Sequence, residues 1–200
     1  MRKQRKERIL ERKVVFLGRD GVINVPWHDE NDDRMNYVMN WEDFEFIEYS
    51  ECAIRCLLAE GYVVVVVTNQ ACIGKGYCDE KVMKDIVDRM WTAIHPPPGS
   101  RYGTIICPHT EKDDCVCRKP KPGMIFWGAF MYGLCLKEAW MVGDSRSDMQ
   151  AAWTAGIRKR MLIDDELEAL VPLPASRRVA STAKATNLAM AVEYIMEVDK

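Results

Sequence analysis

Two groups of residues in this sequence have the types and spacing for chemistry. The first is scattered: Asp20 in "VVFLGRDGVIN", Thr68-Asn69-Gln70 after "YVVVVV", Lys119 and Lys121 in "CRKPKPGM", and Asp144 with Asp148 in "AWMVGDSRSDMQ". Carboxylates of this kind hold magnesium, while lysine and a hydroxyl neutralise and hydrogen-bond phosphoryl oxygens, so the set suits a magnesium-assisted phosphate site. Gly18, two places before Asp20, occupies a position where that chemistry wants a further carboxylate. The second group is compact. Cys107, His109, Cys115 and Cys117 offer three thiolates and an imidazole within "CPHTEKDDCVC", a spacing able to wrap one tetrahedral zinc. Four protein ligands leave no open position, so the zinc is expected to be structural, pinning the loop that leads into Arg118 and Lys119.

Taken singly, each scattered motif has a plainer reading: "TNQ" a turn, "GDS" a helix cap, "RKPKP" a solvated loop. The elements around them supply the reason to read them together. "VVFL" (14 to 17), "YVVVVVT" (62 to 68), "YGTIIC" (102 to 107), "AWMVGD" (139 to 144) and "RKRMLID" (158 to 164) read as strands, apolar on both faces where a parallel sheet buries them. Helical stretches alternate with them at 50 to 61, 79 to 94, 122 to 134, 146 to 155 and 185 to 197. Gly61 ends the first, and Asp79 caps the second, whose Val82, Ile86, Met90 and Ala93 recur at helical spacing. Alternating strand and helix predicts a parallel sheet covered on both faces, and its ligands belong at the carboxyl ends of the strands. All the scattered residues lie there.

Composition narrows the setting. Two hundred residues with 48% hydrophobic content suit one domain, expected over 13–200 behind a basic, solvated lead-in at 1–12. The formal net charge of -2 gives no pull toward nucleic acid, and no apolar run is long enough to span a membrane. With no apolar secretion signal, the eight cysteines are expected reduced, in the cytoplasm. Cys52, Cys56, Cys72, Cys78 and Cys135 read mostly as small core residues. The acidic stretch at 28–36 reads as a solvated loop, and the chain as a monomer.

The stretches "FLGRDGVIN", "TNQACIGKG", "CRKPKPGM" and "VGDSRSDMQAA" resemble, in order, the four motifs of the haloacid dehalogenase (HAD) phosphatase superfamily. Within it they resemble the subfamily of heptose 1,7-bisphosphate and histidinol-phosphate phosphatases, from about residue 13 to 163. The resemblance implies a three-layer α/β/α Rossmann-like fold with a zinc-stabilised loop. The short run between "CIGKG" and "CPHT" leaves no room for a large cap domain. In this family the first acid of the first motif attacks the substrate and becomes an aspartyl-phosphate. The acid two places later, here Asp20, is the general acid/base. The resemblance further places Thr68 and Lys119 on the phosphate, and Asp144 with the Asp20 backbone on Mg²⁺. Asp148 supports the fourth motif, and Asn69, Arg118 and Lys75 hold the sugar or its second phosphate.

The departure is Gly18. Glycine has no side chain, so it neither attacks phosphorus nor ligates Mg²⁺. The expectation is therefore a sugar-phosphate phosphatase impaired at its nucleophile. The competing readings are a pseudoenzyme that binds a sugar phosphate or a partner, and a polynucleotide 3'-phosphatase, which the zinc loop and the acidic balance oppose.

Overall fold

The computed structural model describes residues 13–27, 32, 37–166, 171–172 and 183–200. The basic lead-in 1–12 and, apart from Asp32, the acidic residues 28–36 that precede Tyr37 lie outside the described residues. Strands β1 (Val14–Leu17), β2 (Val63–Asn69), β3 (Tyr102–Cys107), β4 (Trp140–Gly143), β5 (Lys159–Ile163), β6 (Val171–Pro172) and β7 (Ala183–Ala185) form one sheet in the order β3-β2-β1-β4-β5-β7-β6. Every neighbouring pair is parallel except β6 with β7. The expected parallel sheet thus holds for six strands, with an antiparallel edge added. Pro172 sits in that edge strand, where its missing N–H leaves no central ladder broken.

Among the described residues six helices accompany the sheet: α1 (Ser50–Ala59), α2 (Ala71–Gly74), α3 (Glu80–Ile94), α4 (Gly123–Tyr132), α5 (Arg146–Thr154) and α6 (Leu188–Val198). Alternation along the buried strands divides the core. Val15, Leu17, Val64, Val66 and Val142 pack with α1, α3 and α6, whereas Val14, Phe16, Val65 and Met141 pack with Met124 and Ile125 of α4 and Met149 of α5. The result is three layers, α/β/α. Asp79 accepts hydrogen bonds from the N–H groups of Lys81 and Val82, capping α3 as its sequence predicts.

The buried stripe of α3 differs from the predicted one. It runs Met83, Ile86, Val87, Met90, Trp91 and Ile94, while Val82 and Ala93 face outward. Trp91 and Ile94 require a wider stripe, and it is centred one residue further along. The cysteines need a correction too. Only Cys72 of the five is buried, and Cys52 and Cys56 are exposed, because α1 turns Ala53, Ile54, Leu57 and Leu58 inward instead.

Between α2 and β3 the chain forms only α3 and its connections, so no second domain interrupts this stretch. Among the described residues no helix is long and apolar enough to cross a membrane. The strand order sets up the site. The chain runs outward from β1 to β2 and β3, then returns to lay β4 on the other side of β1. That reversal opens a crevice at the carboxyl ends of β1 and β4.

Candidate active site

Gly18 leaves the end of β1 and donates its N–H to the Val142 carbonyl of β4 at 2.8 Å, placing it at the crevice. Its φ is not positive, so the backbone there is open to any residue. A Cβ at this position would meet the Val22 Cγ2 methyl at 3.0 Å, with Gly143 Cα at 3.7 Å and Asp148 Oδ2 at 3.8 Å. The methyl needs to yield by only a few tenths of an ångström.

Asp20 is ringed by donors. Its Oδ1 accepts from Arg19 Nη2 at 2.7 Å and Asn24 Nδ2 at 3.1 Å, and its Oδ2 from Gln70 Nε2 at 2.9 Å. The same Gln70 nitrogen donates to Thr68 Oγ1 at 2.7 Å, so one amide spans the two residues. Burial pushes the Asp20 carboxyl up, but the Arg19 guanidinium and the three hydrogen bonds outweigh it and hold it below the usual carboxylate range. Gln70 is one of the rim residues expected from the sequence, whereas Arg19 and Asn24 are not; their signal is faint, an arginine and an amide inside the turn that follows a buried strand.

Lys119, 9% exposed, lies between the Val67 carbonyl at 2.9 Å and Asp148 Oδ1 at 2.6 Å. Asp148 is 1% exposed, and its Oδ2 accepts from Ser145 Oγ, the cap of α5, at 2.6 Å. Asn69 clasps the Lys119 backbone: its Nδ2 donates to the Lys119 carbonyl and its Oδ1 accepts the Lys119 N–H, both at 3.0 Å. Asp144 is exposed, with its carboxylate against Gly21; a Cβ on Gly21 would stand 2.2 Å from Asp144 Oδ2, and the φ of +74° there also favours glycine. Partial burial and then the Asp148 charge push the Asp144 carboxyl up to about 6, with Lys119 opposing them. A hard, oxygen-seeking cation suits such an under-neutralised carboxylate, and magnesium binds through one or two carboxylates plus substrate oxygens. Asp144 supplies one such carboxylate, the least that ion needs, since Gly18 adds none.

The sulfur and nitrogen atoms of Cys107, His109, Cys115 and Cys117 all lie within 4.8 Å of one another. Sγ–Sγ separations of 3.3 to 3.6 Å are too long for disulfides and close to the edges, roughly 3.8 Å, of a tetrahedron with Zn–S near 2.3 Å. His109 Nδ1 stands 3.2 Å from Cys117 Sγ. Burial opposes the Cys115 thiolate, but the Arg118 N–H and the neighbouring thiols prevail and bring it down to about 7. The donor set therefore fits zinc. The loop also leans on α2: Gly74 donates its N–H to the Pro108 carbonyl at 2.9 Å, and a Cβ there would lie 2.7 Å from that oxygen.

The crevice thus brings together Gly18, Asp20, Thr68, Lys119, Asp144 and Asp148. Other predicted residues point elsewhere. Arg118 bonds the His109 carbonyl and Glu111, Lys75 lies over the Tyr37 and Tyr77 rings, and Lys121 pairs with Asp114 on the metal loop rather than joining the rim.

Comparison with known proteins places the chain and its fold in one family. A HAD-hydrolase-like family profile matches residues 116–164. The chain is 35% identical over 151 residues to the D-glycero-beta-D-manno-heptose-1,7-bisphosphate 7-phosphatase of Neisseria meningitidis, covering 76% of this chain and 77% of the relative. Identity to the Pseudomonas aeruginosa protein of the same name is 37% over 143 residues, 72% of this chain and 76% of that one. Among solved structures, the D,D-heptose 1,7-bisphosphate phosphatase from B. bronchiseptica, complexed with magnesium and phosphate, superposes with a TM-score of 0.76 at 28% identity, over 93% of this chain and 99% of that one.

Proposed function

Because this chain belongs to the HAD-like heptose-bisphosphate phosphatases, we propose that it is a sugar-phosphate phosphatase domain whose turnover is curtailed at Gly18. The observation that carries this reading is the crevice itself, where Asp20, Thr68, Lys119, Asp144 and Asp148 meet around a position with no side chain.

Thr68 and Lys119 bind the phosphoryl oxygens, with Asp148 and Asn69 fixing Lys119 in place. Asp20 serves as acid/base, oriented by Arg19, Asn24 and Gln70. Asp144 and the Asp20 carbonyl hold magnesium, which when bound neutralises phosphoryl charge. The Cys/His cluster holds a structural zinc under the loop that carries Lys119. Arg118 and Lys75 reach the sugar or a second phosphate only by leaving their contacts with Glu111 and with the Tyr37 and Tyr77 rings. A reducing, cytoplasmic setting suits the thiols. Attack through an aspartyl-phosphate needs a carboxylate at 18, and loss of such a nucleophile lowers turnover by about 10⁴ to 10⁶. Phosphate binding survives, since the groups that hold it are all present.

The test is phosphate release from D-glycero-D-manno-heptose 1,7-bisphosphate with Mg²⁺, by this chain and by Gly18→Asp. Restoration by at least about 10⁴-fold is expected. Full turnover with Gly18 in place overturns the nucleophile argument, and silence from both proteins moves the assignment to a binding protein.

A further inference from the structure

Cys72 and Cys78 bracket the turn that follows the "TNQ" segment. The Cys72 carbonyl accepts the N–H of Tyr77 at 2.8 Å and of Cys78 at 3.4 Å, folding the two cysteines against each other. Their sulfurs stand 3.2 Å apart, so closing to a bond of about 2.05 Å needs a shift of little more than an ångström. Cys72 is fully buried and Cys78 is part-exposed, so one sulfur is reachable and the other waits behind it.

The hydrogen bonds run in one direction from this pair to the crevice. The Cys78 thiol donates to Cys72 Sγ, the Cys72 thiol to Gln70 Oε1 at 3.8 Å, and Gln70 Nε2 to both Thr68 Oγ1 and Asp20 Oδ2. Burial pushes the Cys72 thiol up to about 12, so it keeps the proton it donates at neutral pH. Gln70 is 1% exposed, so bulk solvent does not reach it to replace a lost donor.

We propose that Cys72 and Cys78 are a redox modification site, oxidised to an intramolecular disulfide that loosens the grip of Gln70 on Thr68 and Asp20. With a disulfide such as oxidised glutathione as oxidant, Cys78, as thiolate, attacks one glutathione sulfur. The glutathione S–S bond breaks, and the leaving thiolate takes up the proton that Cys78 gave up. Cys72 then attacks the Cys78 sulfur of the mixed disulfide, passing its proton to the departing glutathione thiolate as the new S–S bond forms. Two thiols lose two electrons and two protons, and two glutathione thiols gain them. Both S–H donors vanish. Gln70 Oε1 is then left without its donor, or the amide turns over and presents oxygen to the Asp20 carboxylate. The effect on phosphate binding rests on the proposed phosphate site; the disulfide itself does not.

The experiment treats the full chain with oxidised glutathione, maps cross-linked peptides, follows the Gln70 side-chain amide by NMR, and titrates inorganic phosphate with Mg²⁺ into the reduced and oxidised forms. A 72–78 cross-link, a shifted Gln70 amide and a five- to tenfold loss of phosphate affinity are expected. Cys78→Ser should bind phosphate as the reduced protein does and ignore the oxidant. Glutathione retained on Cys78, cross-links confined to 107–117, or a 72–78 disulfide with an unmoved Gln70 amide overturns the proposal. If neither form binds phosphate, the phosphate-site reading has failed, and the cross-link together with the Gln70 amide still decides the thiol pair.

Discussion

The crevice and the metal loop solve the same problem, gathering polar groups at one point, by opposite means. The crevice draws on the ends of β1, β2 and β4 and on the segment before α4, residues far apart in sequence. It neutralises most of its own charges: Arg19 sits on Asp20 and Lys119 on Asp148. The metal loop takes four donors from one short stretch and crowds three thiols within 3.6 Å of one another. Self-neutralised sites are held by the fold and outlast their ligand. A cluster of soft donors is held by its ion, and its order depends on that ion.

That contrast breaks first at the metal. Chelation of the zinc proposed for the loop, monitored by metal content and thermal unfolding, is expected to remove at least about 4 kcal/mol of stability, since structural zinc contributes directly to folding. An unchanged melting temperature would make the cysteines bystanders. Next comes Lys119→Met, which strands Asp148 in the interior without its ammonium. Breaking one side of a buried pair costs about 3 to 5 kcal/mol, readable by denaturant unfolding. A loss below about 1 kcal/mol would mean that the Ser145 hydroxyl alone can hold Asp148.

A smaller effect concerns pH. The Asp144 carboxyl is raised to about 6, so below that pH a proton increasingly occupies it and competes with a cation. Magnesium affinity, measured by calorimetric titration from pH 5 to 7.5, should fall toward tenfold per unit below about 6 and level off above it. In Asp144→Asn that dependence should disappear together with most of the binding. The smallest change expected is Lys121→Met, where the partner Asp114 is largely in solvent. An exposed pair is worth under about 1 kcal/mol, so this variant sets the baseline for Lys119→Met.

The two regions were also unequally legible in the sequence. All four Cys/His residues could be read from spacing alone, because their geometry is local. For the crevice, strand ends ordered Asp20, Thr68, Lys119 and Asp144, but nothing in "CRKPKPGM" says which lysine turns inward. The family resemblance points to Lys119, and the fold shows why it rather than Lys121 turns inward: Asn69 clasps the Lys119 backbone. Gln70 could be placed on the rim but not given its task, since an amide that bridges two residues through space leaves no periodic mark. The two- and three-residue strands β6 and β7 escape sequence reading for a related reason: too short for alternation, β7 exists through pairing with β5 and β6 through pairing with β7.

The contact of Gly74 with the Pro108 carbonyl has an evolutionary consequence. With no room for even a methyl group between them, the turn after "TNQ" and the first arc of the metal loop fit as a matched pair. A chimera that imports a foreign loop over 107–117 inherits the wrong surface against α2, and one that replaces the 70–78 turn meets the same mismatch from the other side. The segments are exchangeable between relatives only as a unit, although about thirty residues of chain separate them.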